Sequence, residues 1–197
     1  MRVQIFSDIH GDFASLRQAI AVEADIYIAA GDLVTWPAPL DPCADVLGSL
    51  GERLWVMPGN NETDEQVREF CGCHGFRSFH EAVYEVGGVH FAGLGYSNPT
   101  PFDTPGEYSE EDLAARLARF AGRLPQVLVC HAPPLNTPLD EAGPGLHFGS
   151  KAVRDYIDEH KPEYCFCGHI HEGAGRTVRL GATLAANVGK PGYLLEL

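Results

Sequence analysis

The sequence predicts a mixed α/β layer protein with two sheets. Short apolar runs alternate with amphipathic helical segments through the first half, and paired runs at Gly-rich turns follow in the middle and at the end. Pro and Gly cluster between these segments. No repeat or composition break divides the 197 residues, so a single domain over 1–197 is expected.

Residues 3–7 (VQIFS) read as a first buried strand. Residues 13–23 read as a helix with Phe13, Leu16 and Ile20 on one face and Asp12 as its cap. Runs 26–30 (IYIAA) and 53–57 (RLWVM) are the next strands, separated by a Pro-rich loop at 35–42 and a short helix at 43–50. Thr63 and Gln66 make a capping box for a helix over 64–72. Residues 82–86 and 89–94 flank Gly87-Gly88, a hairpin signal. Ser109 with Asp112 starts a helix whose face is Leu113, Leu117, Phe120 and Leu124. A strand at 126–130 (QVLVC) leads into a Pro/Gly-rich loop over 131–149, and loops of that length inside a domain usually carry function. Ser150 caps a helix with Val153, Tyr156 and Ile157 inward. Runs 163–167, 176–180, 182–187 and 192–197 are the remaining strands.

Charge and composition narrow the function. There are 27 acidic against 14 basic residues, a formal net charge of −13. Sequence-independent binding to duplex nucleic acid needs a basic face and is therefore not expected. No apolar run approaches the roughly eighteen residues of a membrane span. The N-terminus, MRVQIFSDIHGD, turns polar too soon for a signal peptide, so a cytoplasmic protein without a membrane partner is expected. Cys130, Cys165 and Cys167 lie in apolar runs, where Cys acts as a small hydrophobe. Cys71-Gly-Cys73-His74 lacks the second half of a zinc site and reads as a reduced helix end. A charge of −13 opposes an anionic substrate unless a bound cation offsets it.

The chemistry sits where strands end. Five strands run into Asp8-Ile9-His10, Gly31-Asp32, Gly59-Asn60-Asn61-Glu62, His131 and Gly168-His169-Ile170-His171. Open α/β sheets place ligands at the carboxyl ends of their strands. Asp8/His10 and His169/His171 are each two apart, so an extended chain would point both members the same way. The glycines before Asp32, Asn60 and His169 allow sharp turns and close approach to a ligand. Imidazole, carboxylate and amide oxygen together suit Mn, Fe, Co, Ni or Zn. Two clusters sharing a carboxylate imply two divalent ions, which would activate water and clamp a phosphoryl oxygen.

This ordered set resembles the calcineurin-like metallophosphoesterase superfamily, in particular its small stand-alone bacterial and archaeal members. The resemblance implies a four-layer αββα sandwich and hydrolysis of small phosphoesters by a metal-bridging hydroxide. It implies one metal site of Asp8, His10, Asp32 and His171 and a second of Asp32, Asn60, His131 and His169, with Asp32 bridging. Residues 146–171 resemble members whose long loop closes with His-x-Gly-Ser before a helix.

One position departs from the family pattern. The usual motif is Gly-Asn-His-Asp/Glu, whose His contacts the phosphate and protonates the leaving oxygen; here that position is Asn61. An amide can hydrogen-bond a phosphate oxygen but cannot be a general acid. Losing a positioned acid costs about 10²–10⁴-fold, most for poor leaving groups. Phosphodiesters and activated esters are therefore expected over ordinary monoesters. His147 has two readings: a loop or cap contact, or a group near the metals that binds phosphate or replaces the missing acid. Glu62 reads as a supporting contact or helix-start carboxylate. His74, His80, His90 and His160 read as structural or solvent-facing. Trp36 either walls a substrate or covers a core edge. Loops 35–42, 96–108 and 132–149 are expected to set specificity. The alternative function is a non-catalytic metal-binding interaction scaffold of the same fold, which would be free to lose ligands. A nucleotide sensor is a third class, and a homo-oligomer is left open.

Overall fold

The computed structural model describes residues 1–197. In chain order the first half contains β1 (Arg2–Phe6), α1 (Phe13–Ala21), β2 (Ile26–Ala30), α2 (Asp41–Leu47), β3 (Leu54–Met57), α3 (Asp64–His74) and β4 (Arg77–Ser78). A hairpin of β5 (Ala82–Val86) and β6 (Val89–Leu94) follows, then α4 (Glu110–Ala118) and β7 (Gln126–Cys130). The remainder holds β8 (Glu141–Gly143), β9 (Leu146–His147), α5 (Lys151–His160), β10 (Tyr164–Cys167), β11 (Thr177–Leu180), β12 (Thr183–Asn187) and β13 (Tyr193–Glu196).

Two mixed sheets form the middle of a four-layer αββα sandwich. The first has the order β13-β1-β2-β3-β4 and the second β11-β12-β10-β7-β6-β5. Each has a parallel centre and antiparallel partners at its margin: β13 against β1 in one, β5 against β6 and β11 against β12 in the other. Side-chain alternation along the strands sorts residues into three apolar layers. Val3, Ile5, Ile28 and Trp55 of the first sheet meet Phe91, Val127, Val129 and Phe166 of the second in the central layer. Phe6, Ala29 and Val56 face the other way, with Leu16 of α1, Leu47 of α2 and Phe70 of α3. Leu128, Cys165 and Ala185 do the same for the second sheet, packed with Leu113 and Leu117 of α4 and Val153 and Ile157 of α5. Strands buried on both faces are why the sequence shows continuous apolar runs rather than alternation.

The predicted caps form. The Asp12 side chain accepts from Ser15 N, Thr63 and Gln66 complete both halves of a capping box, and Ser109 and Ser150 accept from Asp112 N and Val153 N. Gly87 and Gly88 turn the β5–β6 hairpin with φ of 61° and 79°. Cys130, Cys165 and Cys167 are buried, and burial pushes the Cys165 thiol up to about 12. Cys71 is buried in the helix core while Cys73 faces out, in the last turns of α3.

Several boundaries differ from the sequence reading. The helix after Ser109 stops at Ala118, so Phe120 is buried from the turn beyond it and Leu124 is exposed; Gly122 (φ 76°) turns the chain between them. The short helix begins at Asp41, because Pro42 fits its first turn, and takes in the end of the supposed loop. The two-residue β4 has no sequence signal, being too short for any period. The loop over 131–149 contains the small β8–β9 hairpin.

Candidate metal centre

The seven predicted ligand residues converge at the carboxyl ends of both sheets. Asp8, His10, Asp32 and Asn60 follow β1, β2 and β3 of the first sheet; His131, His169 and His171 follow β7 and β10 of the second. The two sheets are stitched together there. His131 Nδ1 lies 2.9 Å from the Ala30 carbonyl, and His169 N donates to both Asp8 oxygens at 3.0 and 3.1 Å.

The ligand-bearing segments are not extended chain. Asp8, His10, Asp32 and His169 have φ of 57°, 51°, 56° and 69°, in the left-handed region that side-chain-bearing residues seldom occupy. The strands have ended, and the backbone curls so that each side chain reaches its own partner. His169 and His171 therefore do not point the same way, contrary to the expectation for extended chain, whereas Asp8 and His10 do reach one cluster. His169 Nδ1 approaches Asn60 Oδ1 at 2.9 Å, while His171 Nε2 approaches His10 Nε2 at 3.0 Å. Left-handed residues at such a place are strain held by the surrounding structure.

Two clusters result. In the first, His171 Nε2 lies 3.6 Å from Asp8 Oδ1, and His10 Nε2 lies 3.6 Å from Asp32 Oδ2. In the second, His131 Nε2 lies 3.6 Å from Asp32 Oδ2 and 3.2 Å from Asn60 Oδ1. One ligand atom each from Asp8, His10 and His171 lies within 4.8 Å of the others, as do those of Asp8, Asp32 and His131. The donor set fits divalent cations. Imidazole nitrogens, carboxylate oxygens and an amide oxygen point at common points, and the two facing Nε2 atoms of His10 and His171 need a proton or a cation between them. The His131 Nδ1–H is occupied by Ala30, which leaves Nε2 aimed into the cluster.

Electrostatics follow from burial and crowding. Burial opposes ionisation of Asp8, but His171, His131 and Ser7 outweigh it and hold its carboxyl well below the usual range. Asp32 is also lowered, its burial overcome mainly by His131. Burial works against a charge on His131, yet the Asp32 and Asp8 carboxylates push its pKa up to about 9. His169 goes the other way, down to about 4, through burial and the His131 charge. The Asp8 contact raises His171, and burial lowers His10.

Supporting residues fix this arrangement. Buried Glu62 accepts from Asp32 N, Val34 N and Gly59 N at 3.0, 3.1 and 2.8 Å. It is the supporting contact that the sequence suggests, and burial pushes its carboxyl up to about 7. A Cβ at Gly59 would lie 2.0 Å from Asp32 Oδ1, and one at Gly168 would lie 2.3 Å from Ser7 Oγ. These two glycines are required by close packing rather than by turning. Sequence reasoning missed Asn187, whose Nδ2 donates to Leu139, Gly168 and Ile170 carbonyls and clamps the His169–His171 segment. It also missed Lys190, 3.1 Å from Asp12 Oδ2, which lines a cleft with Asp8 and His171. A Lys within Gly189-Lys190-Pro191-Gly192, just after a strand, was the available signal.

Asn61 and His147 are both engaged by protein groups. Asn61 N and Nδ2 donate to the two Asp32 oxygens at 2.9 and 2.8 Å, and its Oδ1 accepts from Trp36 N at 3.2 Å. His147 Nδ1 lies 2.8 Å from Asp140 Oδ1, and none of its hydrogen bonds is with the cluster. That is the loop contact of its two readings. Trp36 is 48% exposed.

Comparison with known proteins bears on the family and the fold. A family profile described as calcineurin-like phosphoesterase matches residues 1–173. An uncharacterized protein of Methanocaldococcus jannaschii, MJ1162, is 30% identical over 204 residues, covering 99% of this chain and 91% of that one. The crystal structure of TT1561 of Thermus thermophilus superposes with a TM-score of 0.71 at 20% identity, covering 95% of this chain and 88% of that one. The phosphopantetheinyl hydrolase of Mycobacterium tuberculosis superposes at 0.68 and 18% identity, with coverage of 95% and 88%.

Proposed function

The chain belongs to the calcineurin-like phosphoesterase family, and on that premise we propose that it is a dinuclear metal-dependent phosphodiesterase acting on small esters with good leaving groups. Metal-dependent phosphoester hydrolysis is the family's general chemistry. The observation that carries the finer reading is the pair of ligand clusters joined at Asp32 Oδ2, which lies 3.6 Å from both His10 Nε2 and His131 Nε2. When bound, two divalent ions supply an acidified water as nucleophile and neutralise charge on the phosphoryl oxygens.

The chain's own residues set up this chemistry. Asp8, His10, Asp32 and His171 hold one ion, and Asp32, Asn60, His131 and His169 the other. Asn61 orients the bridging Asp32 carboxylate through two hydrogen bonds, and Glu62 fixes the backbone on which Asp32 rides. Asn61 cannot protonate a leaving oxygen, being an amide bonded to Asp32, and His147 bonds Asp140 through Nδ1 and makes no hydrogen bond to the cluster. Leaving groups stable as anions are therefore favoured. The retention of every ligand speaks for the enzyme over the scaffold. The net charge of −13 supports a small substrate rather than duplex nucleic acid. No helix is long and apolar enough to cross a membrane. We place the protein in the cytoplasm on the strength of its free cysteines, all but Cys73 buried.

The test is turnover of bis-p-nitrophenyl phosphate by protein loaded with Mn²⁺, and its loss on chelation. Asn61→His should then raise the rate more for alkyl than for nitrophenyl leaving groups. Metal-loaded protein inert toward a panel of mono- and diesters would refute the enzyme reading.

A further inference from the structure

A cavity of about 520 Å³ opens beside the candidate metal centre, with His169 and His171 at its inner end. Its walls come from two of the loops that hold no readable sequence code. Pro99, Pro101 and Phe102 form one side, and Ala142 and Phe148 the other. Phe102 is 79% exposed and Phe148 54%. Large aromatic side chains left in water beside a polar reaction centre are informative, whereas single exposed apolar residues elsewhere are not.

The cavity is built rather than a gap between loose loops. Asn98 Nδ2 donates to the Phe148 carbonyl at 3.1 Å, tying one wall to the other. The loop carrying Phe102 is anchored to a candidate ligand: Asn60 Nδ2 donates to Thr104 Oγ1 at 3.2 Å, and Gly106 N to the Asn60 carbonyl at 3.0 Å. Thr100 and Thr104 hydroxyls both donate to Glu107 at 2.6 Å, which holds the loop's curvature. The wall and the metal centre therefore keep a fixed relation.

Charge restricts the occupant. No Lys or Arg lines the cavity, and Glu172 contributes a carboxylate. A second phosphate or a carboxylate would enter without a partner and beside a like charge. We infer that this cavity takes the bulky, uncharged, apolar ester group of the substrate, with Phe102 and Phe148 as its specificity-determining residues. The chain is then a hydrolase of diesters that carry an aryl-sized apolar substituent, and it discriminates against nucleoside polyphosphates. The inference rests on the phosphodiesterase reading and extends it to one substrate class.

Binding of phosphonates separates the two. Phenylphosphonate and methylphosphonate, at a pH where both are dianions, are titrated calorimetrically into Mn²⁺-loaded protein. Phenylphosphonate is expected to bind about tenfold or more tightly, from apolar burial, and 4-carboxyphenylphosphonate about tenfold more weakly than phenylphosphonate. Phe102→Ala and Phe148→Ala should each collapse the phenyl preference. Leu146→Ala, exposed but off the lining, should keep it. Equal affinities, no binding by either phosphonate, or a preference that survives both Phe substitutions overturns the inference. If the phosphonates bind alike while bis-p-nitrophenyl phosphate is turned over, only the cavity assignment fails. If the phenyl preference holds but no ester is turned over, the cavity assignment stands and the phosphodiesterase reading fails.

Discussion

The two halves of the metal centre differ in how the protein holds them. His131 and Asp32 have side chains 0% and 3% exposed, whereas His10 and His171 are 19% and 60% exposed. The buried half is braced from both sheets, through Ala30, Asn61 and Glu62. In the exposed half the His10 ring leans on Thr35, 3.0 Å from its Nδ1, and the His171 ring on Asp8 and His10. Desolvation strengthens every charge interaction in the buried half, while solvent screens those in the exposed half. One half is thus buried and braced, and the other opens to solvent.

The most damaging break is at Asp32, whose Oδ2 lies 3.6 Å from one histidine of each half. Asp32→Asn should lower metal-dependent kcat/KM by about 10³-fold or more, the scale of a metal's contribution to transition-state stabilisation. Mass spectrometry of metals should find less than one ion per chain; a full complement in that variant would contradict the bridging assignment. Next comes a direct contrast. His131→Ala leaves the Asp32 and Asp8 carboxylates without their buried partner, so metal-free protein should lose about 3–5 kcal/mol of stability. His171→Ala should leave the Tm nearly unchanged and remove one ion only. Similar Tm losses in both variants would erase the distinction between the halves.

The pH dependence is smaller and has a definite sign. His131 is raised from 6.5 to about 9 in the metal-free fold. Its contribution to stability is fully present below about pH 6.5 and is lost as pH rises through about 9. A cation competes with that same proton, so metal affinity should rise over the interval in which metal-free stability falls. Thermal melts of chelator-treated protein across this range check it, with His131→Ala expected to lose most of the fall toward pH 9. The smallest effect is expected at His147. Asp140 keeps donors from Asn136 N, Thr137 N and Gly149 N. His147→Ala should therefore change kcat by about twofold at most for both bis-p-nitrophenyl phosphate and an unactivated alkyl ester, as for an ordinary surface substitution. A loss of about 10²-fold or more would restore it as the missing acid.

Much of the fold was legible because its signals are local. Capping at Asp12, Thr63, Ser109 and Ser150 uses residues three apart, and the Gly87-Gly88 turn needs no distant partner. The misread helix after Ser109 shows the limit: Phe120 and Leu124 continued the helical period, but the helix stops at Ala118 and Gly122 turns the chain before Leu124. In the site, ligand types and their order were readable, since each follows an apolar run. The support was not. Glu62 gains its meaning from two backbone amides after β2 as well as from nearby Gly59 N, and Asn187 from carbonyls up to 48 residues away. Nothing in either residue's neighbourhood announces those partners.

The sequence by itself determined the chemistry available: which residues bear ligating atoms, that they end strands, and that Asn61 stands where an acid would be. Only the tertiary structure decided how those atoms are used. It put four ligands on one sheet and three on the other, curled Asp8, His10, Asp32 and His169 into left-handed backbone, and turned Asn61 toward Asp32. It also set Phe102 and Phe148 against a single cavity. The physical reason is range. Apolar periodicity and capping act over a few residues, whereas hydrogen bonds and charges act on whatever the packed sheets bring within about 4 Å.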